Sequence, residues 1–154
     1  MKNLTLKKIL SWLLLIIWMS VIFVFSHKSG NDSDKQSTLI INIFNVMGLD
    51  LNSTLGDLAT FIVRKTAHFT EYMILFFLSY NLLRSYTDKK DSIMFALIIT
   101  LGYACTDEVH QLFIPGRTGK FTDILIDISG GLFGAFILSI TKDRQVSSFL
   151  NLRR

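Results

Sequence analysis

The stretch Lys65-Thr66-Ala67-His68-Phe69-Thr70-Glu71-Tyr72, running straight into Met73-Ile74-Leu75-Phe76-Phe77-Leu78, decides how this chain is read. Ionisable residues open a segment that is otherwise apolar as far as Leu83. Such groups cost roughly 2.5–3.5 kcal/mol each at the centre of a membrane helix on insertion scales. The pattern recurs twice more. Asp107 and Glu108 follow the apolar run Ile93–Cys105, and Asp123 and Asp127 open the run that ends at Ile140. A chain that accepts this cost repeatedly at one depth is expected to use the groups.

Half of the 154 residues (50%) are hydrophobic, with a single proline. They fall in long blocks, which points to an all-α integral membrane protein. The expected architecture is a four-helix bundle forming one domain over 1–154, with its core at about 9–140. The spans read as Ile9–Phe25, Lys65–Leu83, Ser92–Phe113 and Asp123–Ile140. Crossing a hydrocarbon core takes about 20 residues. The third and fourth segments reach that length only by including Asp107, Glu108 and Gln111, and Asp127. The first run is long for a signal peptide and ends in Ser26-His27-Lys28 without a small-x-small cleavage site, so it reads as an uncleaved span.

Lys and Arg set the orientation. With the N-terminus inside, Lys2, Lys7, Lys8, Arg84, Lys89, Lys90, Lys142, Arg144, Arg153 and Arg154 are cytoplasmic. Lys28, Lys35, Arg64, Lys65, Arg117 and Lys120 are outside. The expected placement is a multi-pass protein of the cell membrane with both termini cytoplasmic. The start of the second span, the end of the third and the start of the fourth then meet in the outer leaflet. In the loop from His27 to Val63, Leu39, Ile40, Ile43, Val46 and Met47 recur at helical spacing, as do Leu55, Leu58 and Ile62. They read as short amphipathic helices in the first extracytoplasmic loop, broken at Gly48 and from Asn52 to Gly56.

Lys65, His68 and Tyr72 share a helix face, with Glu71 beside it. His68 and Glu71, one turn apart, suit acid–base work, metal binding or head-group recognition, or they simply satisfy each other. Asp107, Glu108 and Gln111 fall on one face of the third helix. The two acids need cations or protons, and Lys65, Arg64 and Arg117 are the candidates. The turn Ile114-Pro115-Gly116-Arg117 aims a guanidinium back over this region, where it would suit a carboxylate or phosphate. The alternative is a buried salt-bridge network that only holds helices together. Asp123, Asp127, Gly130 and Gly134 form a stripe on the fourth helix, and the two glycines make a small-xxx-small packing pattern. Asp127 either joins the site or bonds a neighbouring helix.

His68, Glu71, Asp107, Glu108 and Asp127 include metal-ligating types, but no HExxH or comparable spacing appears, so no metal and no cofactor is expected. No P-loop, dinucleotide motif, nucleophile elbow or nucleic-acid signal occurs, and the net charge of +4 belongs mostly to helix ends. His110 points off the acidic face. Cys105, the lone cysteine, reads as a small hydrophobe in an apolar helix.

Taken together, Lys65-x-x-His68-Phe69-x-Glu71-Tyr72, Asp107-Glu108-x-x-Gln111-x-Phe113-x-Pro115-Gly116-Arg117 and Asp123-x-x-x-Asp127-x-x-Gly130-x-x-x-Gly134 resemble the VanZ-like family. Asp127 stands where that pattern often has Asn. The founding member is an accessory protein of a glycopeptide-resistance cluster, tied to teicoplanin rather than vancomycin. The resemblance implies a cell-envelope protein with a role in low-level teicoplanin resistance, meeting a membrane lipid, a lipid-linked cell-wall precursor or the lipoglycopeptide itself. On that reading Lys65, His68, Tyr72, Gln111, Arg117, Asp123 and Asp127 bind the ligand. The alternative is a membrane enzyme acting on a lipid head group, with His68, Glu71, Asp107 and Glu108 catalytic. The sequence leaves open whether any reaction occurs, and the oligomeric state.

Overall fold

A computed structural model describes residues 2–49, 55–56 and 58–141, with side chains from residue 5 onward. Lys142, Arg144, Arg153 and Arg154, which carry part of the orientation argument, lie outside the described residues, as do the side chain of Lys2 and residues 52–54 of the expected break from Asn52 to Gly56. The chain forms α1 (Lys2–Ser26), α2 (Gly30–Val46), α3 (Leu58–Leu83), α4 (Lys89–Gln111) and α5 (Phe121–Ile140), with no strand among the described residues. The all-α fold read from the sequence is the fold observed.

Three segments, Thr5–Ser26, Lys89–Gln111 and Phe121–Ile140, are long and apolar enough to cross a membrane. Their outer faces carry exposed Leu13, Ile17, Ile98, Leu132 and Phe136, the surface that lipid favours. Helix α3, with 26 residues, spans about 39 Å at 1.5 Å per residue, but Arg64, Lys65 and Glu71 make its first half polar. It occupies the middle of the bundle and packs on the other four helices. Tyr72, Leu75, Phe76, Ser79 and Leu82 are buried along it at the three- and four-residue spacing of one helical face.

Helices α3 and α5 run in the same direction at close quarters. Lys65 meets Asp123 and His68 meets Asp127. One and two turns on, Gly130 lies against the Phe69 carbonyl and Gly134 against the Phe76 ring. A Cβ on Gly130 would overlap the Phe69 carbonyl oxygen, so only glycine permits this approach.

Some details differ from the sequence reading. Of the second apolar group of the outer loop, Leu55 is helical and precedes a turn at Gly56. Leu58 and Ile62 belong to α3, which starts at Leu58 rather than Lys65, because no breaker separates them and Ala59 buries against the bundle. The first group forms one helix, α2, whose buried face is Gly30, Ser33, Ser37 and Ile41. Leu39, Ile43, Val46 and Met47 point outward. Cys105 is likewise exposed on the outer face of α4 rather than packed among helices.

Candidate functional site

The α1–α2 corner and the α4–α5 turn build the top of the site together. The Gly30 amide donates to the Pro115 carbonyl at 3.2 Å, and Gly30 and Gly116 approach so closely that neither backbone leaves room for a Cβ on Gly30. Gly116 has φ of 72°, which favours glycine and reverses the chain. The reversal carries Arg117 over α2, where its Nε donates to the Lys28 carbonyl at 3.2 Å and its Nη2 to Ser33 Oγ. Burial and the neighbouring Arg64 pull the Arg117 guanidinium below its ordinary value, while Asp107, Glu108 and Asp123 oppose them. Arg64 reaches the other way and pairs with Asp34.

Beneath these two guanidinium groups lies a cavity of about 180 Å³. Its polar wall is His68, Glu71 and Asp107 from α3 and α4, with Ser26, Ser33, Gln36 and Ser37 from α1 and α2. Next to it runs an apolar groove of about 450 Å³, lined by Trp18, Phe44, Ile62, Thr70 and Ile74 among others. The two share Ile40, Val63, Ala67 and Glu71 as a common wall.

The deeper residues are sorted by partner. Lys65 Nζ sits 2.6 Å from Asp123 Oδ1, with both side chains largely buried. Glu108 Oε2 accepts the Lys120 backbone amide at 2.8 Å, so this carboxylate fixes the start of α5 and does not face the cavity. Gln111 Nε2 donates to Ser26 Oγ at 3.0 Å and to Asp107 Oδ2 at 3.2 Å. Tyr72 is fully buried. Asp127 is 0% exposed, and His68 Nδ1 lies 3.3 Å from its Oδ1. That contact lacks hydrogen-bond alignment: His68 Nδ1 and both Asp127 oxygens have no hydrogen-bond partner among the described residues.

Of the residues marked by sequence, His68, Glu71, Asp107 and Arg117 therefore share the cavity, while Lys65, Tyr72, Glu108, Gln111, Asp123 and Asp127 lie around or behind it. The cations do not go where the sequence pointed them. Lys65 takes Asp123, Arg64 takes Asp34, and Arg117 takes Ser33 and a carbonyl rather than the Asp107–Glu108 pair. His110 lies apart, its Nε2 3.2 Å from His27 Nδ1 with the rings stacked. Sequence reasoning missed the serines of α2. Their only signal was the four-residue spacing Ser33-x-x-x-Ser37 following Gly30, which reads equally well as a solvated face.

Membrane-spanning helices gathered around a buried charged cluster define a polytopic membrane protein with an internal polar site. A family model described as VanZ/LLP1 matches residues 11–142, and the chain belongs to that family. No curated protein and no solved structure matches the chain.

Proposed function

We propose that the protein binds an amphiphile from the outer leaflet, with the head group in the polar cavity and the tail in the adjoining groove. The observation that carries this is the common wall: a cavity under two guanidinium groups and an apolar groove lie side by side and share Ile40, Val63, Ala67 and Glu71. A lipid-linked cell-wall precursor and a lipidated glycopeptide both combine an anionic or polar head with an apolar tail. Arg117 and Arg64 suit phosphate or carboxylate. On this reading α3 is a fourth span, both termini are cytoplasmic, and α2 lies over the site at the outer surface. Family membership supports a role in low-level teicoplanin resistance, through competition for the precursor or sequestration of the lipoglycopeptide.

Teicoplanin and vancomycin susceptibility in a bacterial host, at matched membrane levels, tests the reading. The expected result is protection against teicoplanin by the wild type and its loss in Arg117→Ala and Glu71→Gln. Protection that survives both substitutions removes the cavity from the function. Absence of protection by the wild type removes the resistance role.

A second reading is a membrane enzyme acting on a lipid head group, favoured by His68, which touches buried Asp127 and faces the cavity. An unchanged lipid profile in membranes with and without the protein excludes it.

A further inference from the structure

We propose that His68, Asp107 and Asp127 hold a divalent transition-metal ion, Zn²⁺ or Mn²⁺, at the inner wall of the polar cavity. Three observations carry the assignment. First, one donor atom from each of the three residues lies within 4.8 Å of the others. Second, the cations that would neutralise the acids are engaged elsewhere, Lys65 with Asp123 and Arg64 with Asp34. Among the described residues Asp107 meets neutral donors, the Gln111 amide and the neighbouring Tyr72 hydroxyl, and Asp127 has no hydrogen-bond donor. Two carboxylates buried to this degree, at 5% and 0% exposure, require a cation or protons. Third, His68 Nδ1 and Asp127 Oδ1 are 3.3 Å apart without hydrogen-bond alignment. Two ligands at about 2.1 Å on a tetrahedral ion are separated by about 3.4 Å, so the spacing is that of a coordination edge.

The donor set selects the metal class. One imidazole favours a borderline transition ion over Ca²⁺ or Mg²⁺, and two carboxylates accommodate Zn²⁺ or Mn²⁺. The ion would cancel the charge of both carboxylates and leave His68 neutral. Gln111 fixes the rotation of Asp107 by bridging it to Ser26, the supporting role that outer hydrogen bonds play at metal sites. Because His68 and Asp107 line the cavity, three protein ligands leave an open position directed there. A water or an anionic oxygen of the cavity's occupant fits that position. The spacing 68, 107, 127 matches no short ligand motif, which is why sequence alone argued against a metal. The site stands whatever the cavity binds.

The test uses the full chain without a polyhistidine tag, in lipid nanodiscs, equilibrated with Zn²⁺ or Mn²⁺ over excess Mg²⁺ and then desalted. Elemental analysis is expected to find about one transition-metal ion per chain, falling about tenfold or more in His68→Ala and Asp127→Asn. A His27→Ala/His110→Ala double variant removes the surface histidine pair and is expected to keep the ion. No ion on the wild type overturns the proposal. So does an ion that persists in Asp127→Asn, or one lost with the surface histidines. X-ray absorption on the metal-loaded wild type gives an answer even where a variant fails to fold. One imidazole with oxygen ligands supports the site, whereas two imidazoles or a sulfur ligand overturn it.

Discussion

The two sides of the polar cluster are built differently. On one side, α3 and α5 meet backbone to backbone, with Gly130 on the Phe69 carbonyl and Gly134 under the Phe76 ring. Lys65–Asp123 and His68–Asp127 close the same seam. On the other side, α2 rests on the bundle through Gly30, Ser33, Ser37 and Ile41 and is tied by the partly exposed Arg64–Asp34 pair. In lipid, helix association comes from close packing and interhelical polar contacts rather than from burial of apolar surface. The glycine seam therefore has the geometry of a fixed wall. The serine face, with a cavity beneath it, has the geometry of a cover.

The largest effect should come from filling the seam. Gly130→Val is expected to cost about 3 kcal/mol in detergent unfolding, because its Cβ meets a backbone carbonyl that cannot yield without moving α3. Gly102→Ala, inside α4 where an added Cβ meets nothing within 4 Å, should cost nothing and can gain up to about 1 kcal/mol. Equal losses at both glycines would show that the α3–α5 approach is not special.

Next comes the ion pair in the seam. Lys65→Met leaves Asp123 without its cation in a site where both side chains are largely buried, at 17% and 13% exposure. A loss of about 2 kcal/mol is expected, below the value for a fully buried pair because some solvent reaches it. The double variant Lys65→Met/Asp123→Leu should recover most of that loss, since it removes both charges together. A double variant as weak as the single one would mean that the stem of Lys65, rather than its charge, supports the helix.

The smallest change in global stability, and the most local one, is expected at the cover. Arg64→Ala removes a pair that is exposed on the Asp34 side, so unfolding should shift by less than about 1 kcal/mol. Amide exchange across Ser33–Ile41 should nonetheless rise about tenfold, while α3 and α5 stay protected. Uniform acceleration across the bundle would abolish the distinction between wall and cover.

Much of this was legible in the residues. Spans read as ending at Phe25, Phe113 and Ile140 correspond to helices ending at Ser26, Gln111 and Ile140, because lipid demands internally bonded backbone over a set length. A depth match of Lys65, His68, Glu71, Asp107, Glu108, Gln111, Arg117, Asp123 and Asp127 followed from which helix ends share a side, and of these His68, Glu71, Asp107 and Arg117 line one cavity. The glycine stripe read as a packing face, and it packs on α3. The start of α3 was misplaced because charge at Lys65 looked like a boundary, although charge alone does not end a helix.

Sequence by itself determined the solvent of this protein, its helical class and the residues whose presence in lipid needs a reason. Helical periodicity fixes which side chains share a face of one helix. It says nothing of how that face is rotated, or slid, against a neighbouring helix. Only the tertiary structure decided that Lys65 takes Asp123, that Glu108 turns to a backbone amide, and that Asp107 and Asp127 converge on His68 with no lysine or arginine paired to them among the described residues. Those pairings depend on a register set by Gly130 and Gly116, where the absence of a side chain lets two backbones meet.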